Sequence, residues 1–186
     1  IANNTSATNG NAIWISDEVA NEVTIANSIL YDNDDEIQVY IGELSNVDIS
    51  YSNIPFGTGA FSQEGGTLNW GEGNIDVDPE FVDPESGDYT LLASSPCINS
   101  GDPEFELDPD GTTADMGAYP YLNDYSGPEW YVDQVAGNDT TGTGASGSGS
   151  SFASIAAALN WSGDGHTIHV GPGTYYEYLV IAHDLS

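Results

Sequence analysis

Three observations predict an all-β fold, a parallel β-solenoid with one short capping α-helix. Ile13 and Ile15 alternate in NAIWIS, Val23 and Ile25 alternate in NEVTIANSIL, and both pairs recur 24 residues later as Ile37/Val39 and Val47/Ile49. Turns rich in Asn, Asp and Gly separate these short runs, and a single helix signal stands late in the chain. An apolar period of two marks half-buried strands. One interval kept by both pairs marks coils that stack like on like, so Ile13 is expected over Ile37 and Val23 over Val47. A hairpin meander would alternate in the same way but has no reason to hold that interval.

The elements follow in order. The two repeat units share an exit, with Ser28 in ANSIL answering Ser52 in YSNI. From Gly57 to Tyr125 the pattern loosens into Pro- and Asp-rich sequence, which predicts loops, short strands and a cap over the end of the stack. At Trp130 a strand begins (WYVDQVAG), followed by a Gly/Ser/Thr linker (TTGTGASGSGSS). A helix comes next, with Ser150 or Ser151 as its N-cap and Phe152, Ile155, Ala156 and Leu159 on one face, ending at Gly163 to Gly165. HTIHV and YLVIA then predict two strands in the manner of the first repeat.

The segment SSFASIAAALNWSGDGHTIHVGPGTYYEYLVI resembles the opening of pectate-lyase-like proteins, in which a capping helix leads into the first coils. ANSILYDNDDEIQVY, together with NIDVDPEFVDPESGDYTLLASSPCINSGDPEFELDPDGTTADMGAYPY, resembles the closing coils and C-terminal cap of the same family. The resemblance implies a right-handed parallel β-helix, with the end of one placed before the start of another. It divides the chain into coils and cap (1–122), a seam (123–129) and an N-terminal-type start with its capping helix (130–186). Ile1 and Ser186 each fall inside a predicted coil. The expected consequence is a raw strand edge that accepts a further strand or coil, so that copies of the chain stack head to tail into a fibre. The chain opens without a methionine or a signal-like segment, which reads as a mature product or an excerpt.

Charge narrows the function. The chain has no Lys or Arg among 186 residues and 30 Asp and Glu, for a formal charge of −30. Nucleic acid and anionic membranes are held mainly by Lys and Arg, so both are excluded as partners. No apolar run is long enough to span a bilayer. A body at this charge repels itself unless cations sit among the carboxylates, and calcium suits loops of mixed carboxylates and carbonyls. The absence of trypsin-like cleavage sites suits an extracellular or cell-surface location.

Three acidic clusters are the candidate calcium ligands. The first is Asp108, Asp110 and Asp115 in LDPDGTTADMG. The second is Asp76, Asp78 and Asp83, with Glu80 between them, in a stretch carrying two Asp-Pro steps. The third, Asp32, Asp34, Asp35 and Glu36, falls on a turn of the repeat. No catalytic residue is assigned. The family's lyases commonly use Lys or Arg, which this chain lacks, and no carboxylate pair stands out as a hydrolytic site. A non-enzymatic structural protein is therefore expected, with a polysaccharide-binding module or a lyase or hydrolase fragment as the alternative. Tyr175, Tyr176 and Tyr178, near Trp130 and Tyr131, are the aromatic residues available to stack on sugars. Cys97 is single and expected to be a buried thiol. His166 and His169 flank an alternating strand and are expected on opposite faces. Sequons stand at Asn3, Asn4, Asn138 and Asn160.

Overall fold

A computed structural model describes residues 1–2, 12–31, 38–182 and 184–185. The chain forms two compact units whose sequences interleave. The first comprises Ile1–Pro79, Asn99–Asp108 and Thr112–Ala118, and the second Glu80–Ile98, Pro109–Gly111 and Tyr119–Ser186.

In the first unit, β1 (Ile13–Ile15), β2 (Glu22–Ala26), β3 (Val39–Ile41), β4 (Asn46–Ser50), β5 (Phe61–Gln63) and β6 (Thr67–Trp70) sort into two parallel sheets, β1-β3-β5 and β2-β4-β6. Side chains line up in register: Val23 pairs with Val47, which pairs with Leu68, and Ile25 pairs with Ile49, which pairs with Trp70. Ile15, Ile25, Leu30, Val39, Ile41, Val47, Ile49, Ile54, Ala60 and Phe61 form one buried apolar cluster. Alternation is the cause, because it places every second side chain of each strand on the same face. Ile13 is paired with Val39. The expected partner, Ile37, lies outside the described residues.

A corner follows each strand of the second sheet. Asn27 and Tyr51 both hold φ of 47°, and Gly73 holds 72°. Asn tolerates this left-handed conformation and Gly is free to adopt it, whereas Tyr is strained there. A Cβ on Gly73 would also come within 2.2 Å of the Tyr51 ring, so glycine is required on both counts. The shared serines act just beyond. Ser28 N donates to Ser52 Oγ at 3.2 Å, and Ser52 N donates to Asn74 Oδ1 at 3.1 Å.

In the second unit, β7 (Phe81–Asp83) and β8 (Asp88–Leu91) form an antiparallel pair around a single 3-10 turn, Pro84–Ser86. Asp83 accepts from Ser86 N at the head of that turn. β9 (Glu129–Val132) and β10 (Thr167–Val170) form a two-stranded parallel sheet with α1 (Ile155–Trp161) packed against both. Ser154, rather than Ser150 or Ser151, caps α1, its Oγ accepting from Ala157 N at 3.2 Å. The Glu177 carboxylate also accepts from Ile155 N and Ala156 N, at 3.0 and 2.7 Å. The core centres on Trp130, 1% exposed and stacked on the buried Phe152 with ring centroids 6.3 Å apart.

These findings correct the fold class. Among the described residues the strands lie in four separate small sheets, three parallel and one antiparallel, with one α-helix, and they do not form a single right-handed parallel β-helix. The reason is local. The interval of the first repeat is not maintained: β5 and β6 arrive early, and the two ladders end with them. Only an isolated bridge, Asn53 to Ile75, extends the pairing beyond β6 before the antiparallel pair begins. The Gly/Ser/Thr segment is also ordered structure instead of a linker. Tyr131 N donates to Gly144 O and Thr143 N to Ser150 O, each at 2.9 Å. YLVIA is extended but belongs to no sheet among the described residues.

Candidate functional site

The outward faces of the sheets carry the polar chemistry. On β2-β4-β6 the amide of Asn46 donates to Glu22 Oε1, and that of Asn69 donates to Asp48 Oδ1, each at 2.8 Å. On β9-β10, His169 Nε2 meets Glu129 Oε2 at 2.5 Å, and the His169 ring stacks on Tyr131 at 4.7 Å. In all three pairs the carboxylate sits on the earlier strand and its partner on the later one. Neutral amides and one imidazole therefore take positions that Lys or Arg occupy in other sheets.

On β1-β3-β5 the outward row is Trp14, Tyr40 and Ser62. Trp14 and Tyr40 stack with centroids 5.9 Å apart and planes 9° from parallel. The Tyr40 hydroxyl lies 3.2 Å from both oxygens of Asp17. Desolvation, together with the neighbouring Asp17 and Glu64 carboxylates, pushes this phenol up to about 12.

Four of the acidic residues singled out from sequence, Asp83, Asp108, Asp110 and Asp115, are engaged by backbone amides. Asp108 accepts from Asp115 N at 2.9 Å, and Asp115 accepts from Asn99 N at 2.7 Å. Asp110 accepts from Asn123 N at 2.8 Å. Asp76 and Asp78 are exposed on the stretch after β6, and Asp83 holds its 3-10 turn. Asp32, Asp34, Asp35 and Glu36 lie outside the described residues. Among the described residues, no three His, Cys, Asp or Glu side chains gather as a metal-holding group. Sequence reasoning missed the commoner use of acid in this chain, which is pinning loops. Asp133 accepts from Val135 N and Ala136 N, both at 2.9 Å, and these bonds hold its carboxyl below the usual range. Asp139 accepts from Ala153 N and Ser154 N. An Asp followed two or three residues later by a turn is the signal that could have found Asp133.

His166 and His169 do not share a site. His166 Nδ1 accepts from the Trp130 indole N–H and from Gly163 N, both at 3.0 Å, which places its ring proton on Nε2. Cys97 is buried and in no disulfide. The Asn160 amide nitrogen, the atom a glycan would take, donates to Ala93 O and Ser95 O. Asn3 and Asn4 lie outside the described residues. Tyr175 is anchored, its hydroxyl accepting from Gln134 N and donating to Gly171 O. Tyr176 and Tyr178 are 93% and 95% exposed.

Compared with known proteins, the chain matches no family model, no curated protein and no solved structure. The resemblance to pectate-lyase-like proteins therefore stands on the quoted segments alone. Among the described residues, no helix is long and apolar enough to cross a membrane.

Proposed function

We propose that the chain is a non-enzymatic, extracellular structural module that associates with copies of itself by strand addition, with calcium screening the contact. The observation that carries this reading is the segment 175–181. Its residues alternate: Tyr175, Glu177 and Leu179 are half-buried, while Tyr176, Tyr178 and Val180 point outward and are exposed. Residues 176–182 form no backbone–backbone hydrogen bond among the described residues. An extended apolar segment with free ladder groups is a template for a further strand. The parallel sheets of the first unit offer edge strands at β1, β5, β2 and β6 to receive it.

Charge sets the conditions. Two copies at −30 repel each other, and at low salt that repulsion reaches far beyond contact distance. Calcium between exposed carboxylates lowers it more effectively than a monovalent ion does at equal ionic strength. Sedimentation velocity across a protein concentration series, in calcium chloride and in sodium chloride of matched ionic strength, tests the reading. The expected result is a sedimentation coefficient that rises with concentration in calcium and falls back in Tyr178→Pro, which removes a ladder donor. A single monomeric boundary under every condition overturns it.

A further inference from the structure

The outward face of β1-β3-β5 carries a feature that self-association does not use. Trp14 is 59% exposed although it sits on a sheet, because Tyr40 covers only one side of its indole. Tyr40 itself is buried and stacks parallel to the indole, backing one of its faces. Trp14 thus presents one flat indole face braced from behind by Tyr40, the kind of shape on which the axial C–H face of a pyranose lies.

The polar groups beside it have one sign. Asp17 receives the Tyr40 hydroxyl at 3.2 Å, and the neighbouring Glu64 adds its negative charge to the same surroundings. The one hydroxyl proton goes to Asp17, which leaves Glu64 a carboxylate beside the phenol without that donor. Asp17 is also seated closely: a Cβ on Gly42 would lie 2.4 Å from Asp17 Oδ1, so only glycine leaves the carboxylate its place. With no Lys or Arg anywhere in the chain, uronic acids and sulfated sugars meet repulsion here, and an ammonium group meets attraction.

We propose that Trp14, Tyr40, Asp17 and Glu64 form a binding site for a cationic amino sugar, a β-linked glucosamine oligomer, with the sugar ring on Trp14 and its ammonium group between the two carboxylates. The aromatic pair supplies orientation, and the carboxylates select charge. The site is independent of strand addition, and a monomeric protein would bind equally well.

Isothermal titration with glucosamine tetramer at pH 5.5, alongside cellotetraose and spermidine, tests the site in the intact chain. Glucosamine tetramer is expected to bind, cellotetraose to bind at least roughly tenfold more weakly, and Trp14→Ala to lose roughly tenfold in affinity for the tetramer. Spermidine, which lacks a ring, is expected to be insensitive to Trp14→Ala. Asp17→Asn and Glu64→Gln, which keep the shape of the site, are each expected to weaken the tetramer but not cellotetraose. Far-UV circular dichroism and an unchanged spermidine isotherm establish that Trp14→Ala is folded. Equal binding of the tetramer by wild type and a folded Trp14→Ala overturns the proposal, since the polyanion alone would then hold it. Equal affinity for cellotetraose and the glucosamine tetramer overturns it as well, as does no binding of the tetramer.

Discussion

Gly144 and Gly149 have nearly the same backbone, with φ of 78° and 77°, but different surroundings. A Cβ on Gly144 would lie 2.5 Å from Phe152 Cε2 and 2.6 Å from Trp130 Cε3, while a Cβ on Gly149 would meet nothing within 4 Å. Replacing either by Ala puts a side chain into the left-handed region, at about 1–2 kcal/mol. At Gly144 the methyl group must also push apart the two stacked rings at the centre of the core, which adds about 1–3 kcal/mol of overpacking. Gly149→Ala should therefore destabilise by about 1–2 kcal/mol and Gly144→Ala by about 2–5 kcal/mol. The difference between the two isolates packing, because the conformational contribution is common to both. Urea denaturation followed by tryptophan fluorescence reads both values, and equal slopes with denaturant confirm that the midpoints are comparable. Equal destabilisation of the two variants would refute the account, since it would mean that the glycine-rich segment does not close over Trp130.

Two further predictions concern hydrogen bonds in the second unit. The Asp133 carboxyl is held low by the backbone N–H groups of Ala136 and Val135. A depressed folded pKa gives stability that is present above the unfolded value of about 3.9 and lost as pH falls through the lower, folded value. Between pH 5 and pH 2 the wild-type urea midpoint should therefore fall relative to that of Asp133→Asn; parallel pH profiles for the two proteins would show that the turn does not contribute. Asn160 donates to the carbonyls of Ala93 and Ser95, both of which are buried residues. Asn160→Ala should cost about 1–3 kcal/mol by removing this donor from the Ala93 carbonyl. Asn160→Asp should cost more, because it sets a carboxylate against two carbonyl oxygens. Thermal melting ranks them, and a reversed order would contradict these partners.

Much of the strand pattern was legible because alternation is a local property. Val23, Ile25, Val47 and Ile49 announce their buried face without reference to anything distant, and they pair in the expected register. HTIHV likewise became β10, and WYVDQVAG yielded β9 in its first three residues only. Extending that local rule to the whole chain failed. The spacing of β5 and β6, and the antiparallel pairing of β7 with β8, depend on where Pro and Gly let the backbone turn. The Gly/Ser/Thr stretch looked like a linker because its donors and acceptors are backbone groups, which composition does not reveal. For the candidate sites, abundance of carboxylate was visible, but the partners were not. The Trp14–Tyr40 surface was missed because its two rings come from positions whose register, Trp14 opposite Tyr40, departs from the repeat interval.

The sequence by itself determined the sign of everything this protein can attract. Without Lys or Arg, a chain at −30 disfavours polyanions whatever its fold, because long-range electrostatics depends on total charge more than on detail. It also determined which faces of the early strands are apolar. Only the tertiary structure decided what the acids do. Backbone N–H groups from residues near and far in sequence converge on Asp108, Asp110, Asp115, Asp133, Asp139 and Glu177. A hydrogen bond needs its donor within about 3 Å and in line, a condition set by how loops close in space and invisible in the order of residues.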